Sequence, residues 1–286
     1  MTGGDVFLKI ETVQPTFSYK IRGAFNAALS IRENHGKAAP PLVTASAGNH
    51  GRSLAFAARE TGLSLTVYVP HTAPRVKIDA IRALGADLIA CRDYDEAETR
   101  ARQHGETGSA LFVSAYSHPD VIAGAGTIGL EIMADRPDTH EIVVPVGGGG
   151  LISGISVAAA AFPHRPDIVG VEVEASSPFT QSLAAKRIVP IQVAPTLADG
   201  LAGNLDPNTI TFEIVSRMVD EIAVVSEPQL EKAIGDLFRE ERLVVEGAGA
   251  VGVAAILRRS TQVANRTTAV VVSGANIDPE TLKRFI

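Results

Sequence analysis

Thr16-Phe17-Ser18-Tyr19-Lys20-Ile21-Arg22-Gly23-Ala24 joins two hydrophobic patterns of different period. Before it, Val6 to Ile10 reads as a short apolar strand that ends ahead of the break at Pro15; after it, Ile21, Ala24, Phe25, Ala28 and Leu29 recur at helical spacing. Lys20 therefore stands where a strand-to-helix loop becomes a helix. The positive end of that helix and the neighbouring Arg22 both disfavour the ammonium form, and the neutral amine is the form that attacks a carbonyl. Taken alone, the stretch fits an ordinary solvated lysine in a first helical turn equally well.

Three further stretches change the weighing: Ser46-Ala47-Gly48-Asn49-His50-Gly51, Gly147-Gly148-Gly149-Gly150 and Val272-Ser273-Gly274-Ala275-Asn276. Each lies at the end of an expected strand, where open α/β sheets place their ligand sites. The glycine run stands between a strand and a helix, so its backbone N–H groups can surround a phosphate without side-chain obstruction. Three readings of that run stay open: a phosphate cradle, a purely structural turn, and a dinucleotide loop. For the last, Gly148-x-Gly150-x-x-Ser153 loosely imitates the nucleotide fingerprint and Glu172 its ribose acid. A nicotinamide enzyme, however, needs neither Lys20 nor Ser273. The stretch at Ser46 also fits a simple helix cap by Ser46 or Asn49.

From Leu42 onward strands and helices alternate. Strands are expected at Leu42 to Ala45, Leu65 to Val69, Asp87 to Cys91, Ala110 to Val113, Glu141 to Val146, Ile168 to Val173 and Thr268 to Val272. Between them lie helical patterns such as Arg52 to Glu60, Tyr94 to His104, Val121 to Ala134 and Gly249 to Arg258, with Pro74 in the first turn of another. Gly62 and Gly105 are expected just past last turns, and Ser226 with Gln229 forms a capping box for a helix to about Arg242. Apolar runs of this length alternating with amphipathic helices define an α/β protein built on parallel open sheets, with helices on both faces. There are strands enough for two such domains.

The 286 residues, 45% of them hydrophobic, suffice for a substantial core. A net charge of −6 without a basic stripe speaks against nucleic acid as a partner. Cys91, the one cysteine, excludes an intramolecular disulfide and cysteine-rich zinc sites. No apolar run reaches the roughly 18 to 20 residues of a membrane span, and no secretory signal pattern opens the chain; a cytoplasmic location is expected. The seven histidines form no metal-binding spacing.

Together the four motifs resemble the serine/threonine dehydratases and serine racemases, within the β-family, or fold type II, of pyridoxal-phosphate enzymes. The resemblance covers nearly the whole chain, in the family's order and near its spacing. It implies a tryptophan synthase β-like fold with a small domain at residues 32–118 inserted into a large cofactor-binding domain at 1–31 and 119–286. It implies pyridoxal 5′-phosphate as cofactor, and Lys20 as both its covalent anchor and the base that removes the substrate's α-proton. Gly147, Gly148, Gly149, Gly150 and Leu151 match the family's cofactor-binding loop. Ser273 matches the serine that hydrogen-bonds the pyridine nitrogen, Asn49 the residue that contacts the 3′-oxygen, and Ser46, Ala47, Gly48, Asn49 and His50 the loop that receives the substrate carboxylate. Tyr19 stands where the family usually has phenylalanine. Glu246 aligns with an acid near the ring, and Asp199 with a loop facing the substrate; a first-turn glutamate and an exposed loop acid are their plain structural readings.

Two departures bear on activity. Family racemases use a serine as the second acid where this chain has Ala47, which cannot donate a proton, so elimination is expected over racemisation. Related enzymes hold a divalent cation with a glutamate and an aspartate after the strand matching Ile168 to Val173; Glu174 could be the first, but residues 175–181 contain no aspartate, and either no metal or a weak site supplemented by backbone carbonyls is expected. The expected activity is a dehydratase, or ammonia-lyase, acting on a small β-hydroxy amino acid such as L-threonine or L-serine, and a homodimer is the expected assembly. The rivals are a serine racemase, a hydroxyaspartate dehydratase or a hydroxyectoine-breakdown dehydratase, and outside the class a nicotinamide-dependent oxidoreductase or an inactive amino-acid sensor. The family also carries residues ahead of the first strand that are absent before Val6, and no amino-acid-binding regulatory domain is expected after Ile286.

Overall fold

A computed structural model describes residues 4–259 and 264–286. The strands are β1 (Asp5–Ile10), β2 (Leu42–Ala45), β3 (Leu65–Pro70), β4 (Asp87–Cys91), β5 (Leu111–Phe112), β6 (Glu141–Pro145), β7 (Asp167–Val173), β8 (Glu221–Val225) and β9 (Thr267–Val272). The helices are α1 (Lys20–His35), α2 (Asn49–Thr61), α3 (Arg75–Arg82), α4 (Tyr94–Glu106), α5 (Pro119–Asp135), α6 (Gly150–Ala159), α7 (Pro178–Ala185), α8 (Thr211–Met218), α9 (Glu227–Glu241), α10 (Gly247–Arg258) and α11 (Pro279–Leu282). They fall into two compact units, Met1–Tyr19 with Ala125–Ile286, and Lys20–Gly124.

The first unit carries a five-stranded parallel sheet in the order β1-β9-β6-β7-β8. Its strands are near-continuous Val and Ile runs because both faces are covered. Val143, Val169, Val171 and Val270 pack with Ala233, Ile234, Ala250 and Val251 of α9 and α10, whereas Ile142, Val144, Ile168 and Val271 pack with Ile128 and Ile132 of α5 and Ile152 and Ile155 of α6. Successive residues of one strand thus enter opposite cores, as a period of two requires. Burying each such side chain contributes roughly 1.5–3 kcal/mol.

The second unit repeats the plan with four parallel strands in the order β4-β3-β2-β5. Leu42, Leu65 and Val67 face α1 and α2, and Val43, Ala45 and Tyr68 face α4. The capping box at Ser226 is formed, its N–H donating to Gln229 Oε1 at 3.0 Å. Two boundaries differ from expectation. Gly105 lies inside α4 rather than after it, because a Cβ there would stand 2.7 Å from Phe112 Cβ and only glycine lets the helix pass so close to β5. Pro74 occupies the N-cap position, one residue ahead of the first turn. α8 and β8 were not anticipated; each is short, and each owes its order to packing against the larger elements. No helix among the described residues is long and apolar enough to cross a membrane.

Candidate active site

Lys20 is the first residue of α1, half-buried, and its Nζ donates to the Ala115 carbonyl at 2.7 Å. Gly23 and Gly124 let this corner close: a Cβ on Gly23 would meet the Val121 carbonyl at 2.6 Å, and one on Gly124 the Arg22 carbonyl at 2.5 Å. The lysine is thus set against the chain between β5 and α5.

The Ser46 to His50 loop leaves β2 and enters α2 in the same unit. Gly48 is the N-cap residue and makes no side-chain cap bond; Ser46 Oγ accepts the Gly48 N–H at 3.2 Å, one step outside the helix. Neither Ser46 nor Asn49 is therefore the N-cap residue. Ala47 turns its methyl toward the core beneath α1 and α2. His50 turns inward as well. Its imidazole is buried, Nε2 lies 3.2 Å from the Val113 carbonyl, and Nδ1 has no partner. Since a carbonyl only accepts, Nε2 carries the proton. Burial first, then the nearby Lys20 charge, push this histidine down to about 3, so the ring stays neutral. Of His50, the backbone rather than the ring is placed to meet a ligand.

In the first unit, the glycine run sits between β6 and α6. Gly149 is the N-cap, with φ of 83°, and a Cβ there would stand 2.6 Å from Phe179 Cζ. A Cβ on Gly147 would come within 3.0 Å of Leu201 Cα, and the Gly148 carbonyl accepts from Thr211 Oγ1 at 2.8 Å. No side chain caps α6. The loop is a backbone-lined turn at a helix N-terminus that any larger residue would fill, and it fits a phosphate. Leu151 is buried in the core behind α6, so its backbone is the part available to a ligand. Glu172 does not behave as a ribose acid: it is buried, and its carboxylate accepts the Phe179 and Thr180 N–H groups and the Thr180 hydroxyl, tying β7 to α7.

Ser273, just past β9, is buried, and its carbonyl accepts the Tyr19 N–H at 3.0 Å; its hydroxyl makes one long contact, 3.5 Å to the Ala248 carbonyl. A hydroxyl so weakly engaged can serve a ring nitrogen. The Tyr19 ring packs on the core beneath β6 and β9. The loop before it is held against the Ser273 segment: Phe17, at φ of 57°, accepts from the Ala275 N–H, and Asn276 donates to the Thr16 carbonyl. A phenylalanine in the left-handed region costs about 1 kcal/mol or more, and the paired bonds keep it there. Glu246 is the N-cap residue of α10 without capping it by its side chain; its Oε1 would lie 2.2 Å from a Cβ on Gly274. Asp199 is exposed, at the start of a single 3₁₀ turn (Asp199–Leu201) whose later residues lie against Gly147.

Sequence reasoning missed Thr44, the turn Val113 to His118, Phe179 and Thr211. The turn carried a usable signal, since Ser114-Ala115-Tyr116-Ser117-His118-Pro119 follows a strand's C-terminal end. No cluster of three or more His, Cys, Asp or Glu side chains able to hold a metal occurs among the described residues.

A lysine thus stands at one helix start and a backbone-lined glycine turn at another, in open parallel sheets. Comparison with known proteins assigns the class: residues 1–274 match the family of pyridoxal-phosphate dependent enzymes, and the chain belongs to it. It is 44% identical to the L-threonine ammonia-lyase of Thermotoga maritima, over 100% of this chain and 71% of that protein. Among solved structures, threonine deaminase isoform 2 of Solanum lycopersicum superposes with a TM-score of 0.92 at 34% identity, covering 99% of this chain and 83% of the other. Maize serine racemase superposes with a TM-score of 0.90 at 29% identity, covering 99% and 87%. The protein is a pyridoxal-phosphate enzyme of fold type II, and the dinucleotide reading of the glycine run falls with that.

Proposed function

We propose that the protein is an ammonia-lyase that converts L-threonine or L-serine to a 2-oxo acid and ammonia. The whole-chain match to an L-threonine ammonia-lyase carries this reading. Ala47 supports elimination over racemisation, because a methyl cannot deliver a proton to the face opposite the lysine. Bound pyridoxal phosphate supplies an electron sink for the carbanion.

The chain's own residues do the rest. Lys20 anchors the cofactor and, once free of it, takes the substrate's α-proton. The N–H groups of Gly147 to Leu151 bind the phosphate, Asn49 binds the 3′-oxygen, and Ser273 donates to the ring nitrogen. A neutral hydroxyl there does not enforce protonation of that nitrogen as a carboxylate would, which favours prompt loss of the β-hydroxyl over long-lived carbanion chemistry. Ser46, Gly48, Asn49 and the backbone of His50 receive the substrate carboxylate. Tyr19 and Glu246 flank the ring, and Asp199 faces the substrate. We place the enzyme in the cytoplasm as a homodimer.

Product analysis tests the reading. Incubation with L-threonine and L-serine is expected to release 2-oxo acid and ammonia in equal amounts. Accumulation of D-amino acid instead, or turnover confined to hydroxyaspartate with oxaloacetate as product, contradicts it.

A further inference from the structure

Val113, the residue after β5, has all its backbone polar groups engaged. Its N–H donates to the Val43 carbonyl at 2.9 Å, and its carbonyl accepts two side-chain donors, Thr44 Oγ1 at 2.8 Å and His50 Nε2 at 3.2 Å. All three residues are buried. Ser114 Oγ, also buried, accepts the N–H groups of Tyr116 at 3.5 Å and Ser117 at 3.1 Å and folds the chain into a turn. Within that turn the Ala115 carbonyl accepts Lys20 Nζ at 2.7 Å. Side chains from β2, α2 and the turn itself thus fix a segment of three residues whose last carbonyl holds the lysine.

We propose that the Val113–Ala115 segment is the seat of the Lys20 amine whenever that amine is free of the cofactor, with the Ala115 carbonyl as its acceptor and Thr44, His50 and Ser114 as positioning residues. The inference rests on the reading of Lys20 as the α-proton base. A neutral amine that donates one N–H to Ala115 keeps its lone pair for the substrate. As the α-carbon's C–H bond breaks, its electron pair stays on the carbon side and a new N–H bond forms, leaving an ammonium. The bond to Ala115 then becomes charge-assisted and roughly twice as strong. An interaction that strengthens as the proton arrives lowers the barrier, whereas one equally strong before and after does not. His50 suits the role because it stays neutral beside Lys20 and His118 and adds no second cation to the seat.

The variant Thr44→Val is nearly isosteric and removes one of the two donors to Val113. It is expected to lower kcat on the order of tenfold, with KM and cofactor content unchanged and the melting temperature lowered by only about 2–4 °C. The kinetic isotope effect with α-deuterated threonine should rise, and Thr44→Ser should restore both. A second arm uses cofactor-free protein and needs no turnover: an amine-acylating reagent, followed by peptide mass spectrometry, should label Lys20 several-fold faster in Thr44→Val and Ser114→Ala than in wild type. Wild-type labelling rates in both variants, or a Thr44→Val defect confined to cofactor content, overturn the proposal. Should wild type show no elimination and no cofactor on Lys20, the reading of Lys20 as base fails on its own, while the labelling arm still decides the seat. If Thr44→Val does not fold, Ser114→Ala decides it.

Discussion

The loop ahead of α6 and the loop ahead of α2 occupy equivalent places in their own sheets, each following an interior strand and each entering a helix whose N-cap residue is a glycine. They differ in what fills them. The first is four glycines, of which Gly147 is pressed by Leu201 and Gly149, in the left-handed region, by Phe179 and Thr211; its shape is dictated from outside and its chemistry is that of the backbone. The second carries Ser46, Asn49 and His50, and its one glycine N-cap is sterically open. A turn of the first kind can hold one invariant group such as a phosphate. A turn of the second kind presents side chains that can be varied at Ser46, Ala47 and Asn49 and, with the substrate role proposed for it, would choose substrate and reaction.

With Lys20 as the proposed base, Lys20→Ala sets the upper limit of effect: turnover should fall by roughly 10⁴-fold while the fold survives, as circular dichroism and activity together would show. Gly149→Ala should come next. A left-handed φ and a clash with Phe179 should cost about 2 kcal/mol or more of stability and weaken cofactor retention, read by denaturant unfolding and by cofactor content after dialysis. Unchanged behaviour would show that the glycine turn is not dictated from outside.

The α2 loop has its own signature in pH. Because His50 is held at about 3 against an ordinary 6.5, its contribution to stability is present above 6.5 and is lost as pH falls from there toward 3, at up to about 1.4 kcal/mol per pH unit. His50→Gln should flatten that part of the stability-versus-pH curve measured by urea unfolding; an unaltered slope contradicts a buried neutral ring. The smallest effect is expected of Gly48→Ala, where φ is −104° and the nearest atom to a new Cβ is Ser46 Oγ at 4.0 Å. Its melting free energy should stay within about 0.5 kcal/mol of wild type, and a loss as large as that of Gly149→Ala would erase the distinction between the two loops.

Strands such as Leu42–Ala45 and Asp87–Cys91 could be bounded from sequence because each is a short run, rich in apolar residues, set off by polar residues or by Pro and Gly. α8 could not, since Thr211–Met218 mixes polar and apolar residues and takes its form from packing on α6, while β8, Glu221–Val225, is an apolar run like Asp87–Cys91 that the sequence reading misses and that completes the sheet edge beside β7. Around the candidate site, glycine runs and a lysine at a helix start announce themselves. The direction of a side chain does not: His50 sits in a ligand-loop motif yet turns its ring to Val113. The Ala115 carbonyl, bonded to the lysine, has no sequence signature at all, because every residue owns such a group.

Lys20 is proposed to carry the cofactor covalently. Reduction of the purified, cofactor-loaded protein with borohydride, followed by digestion and peptide mass spectrometry, tests it most directly. A pyridoxyl adduct is expected on the peptide containing Lys20, and no adduct elsewhere. An adduct on another lysine, or none on a protein that retains cofactor, would contradict it.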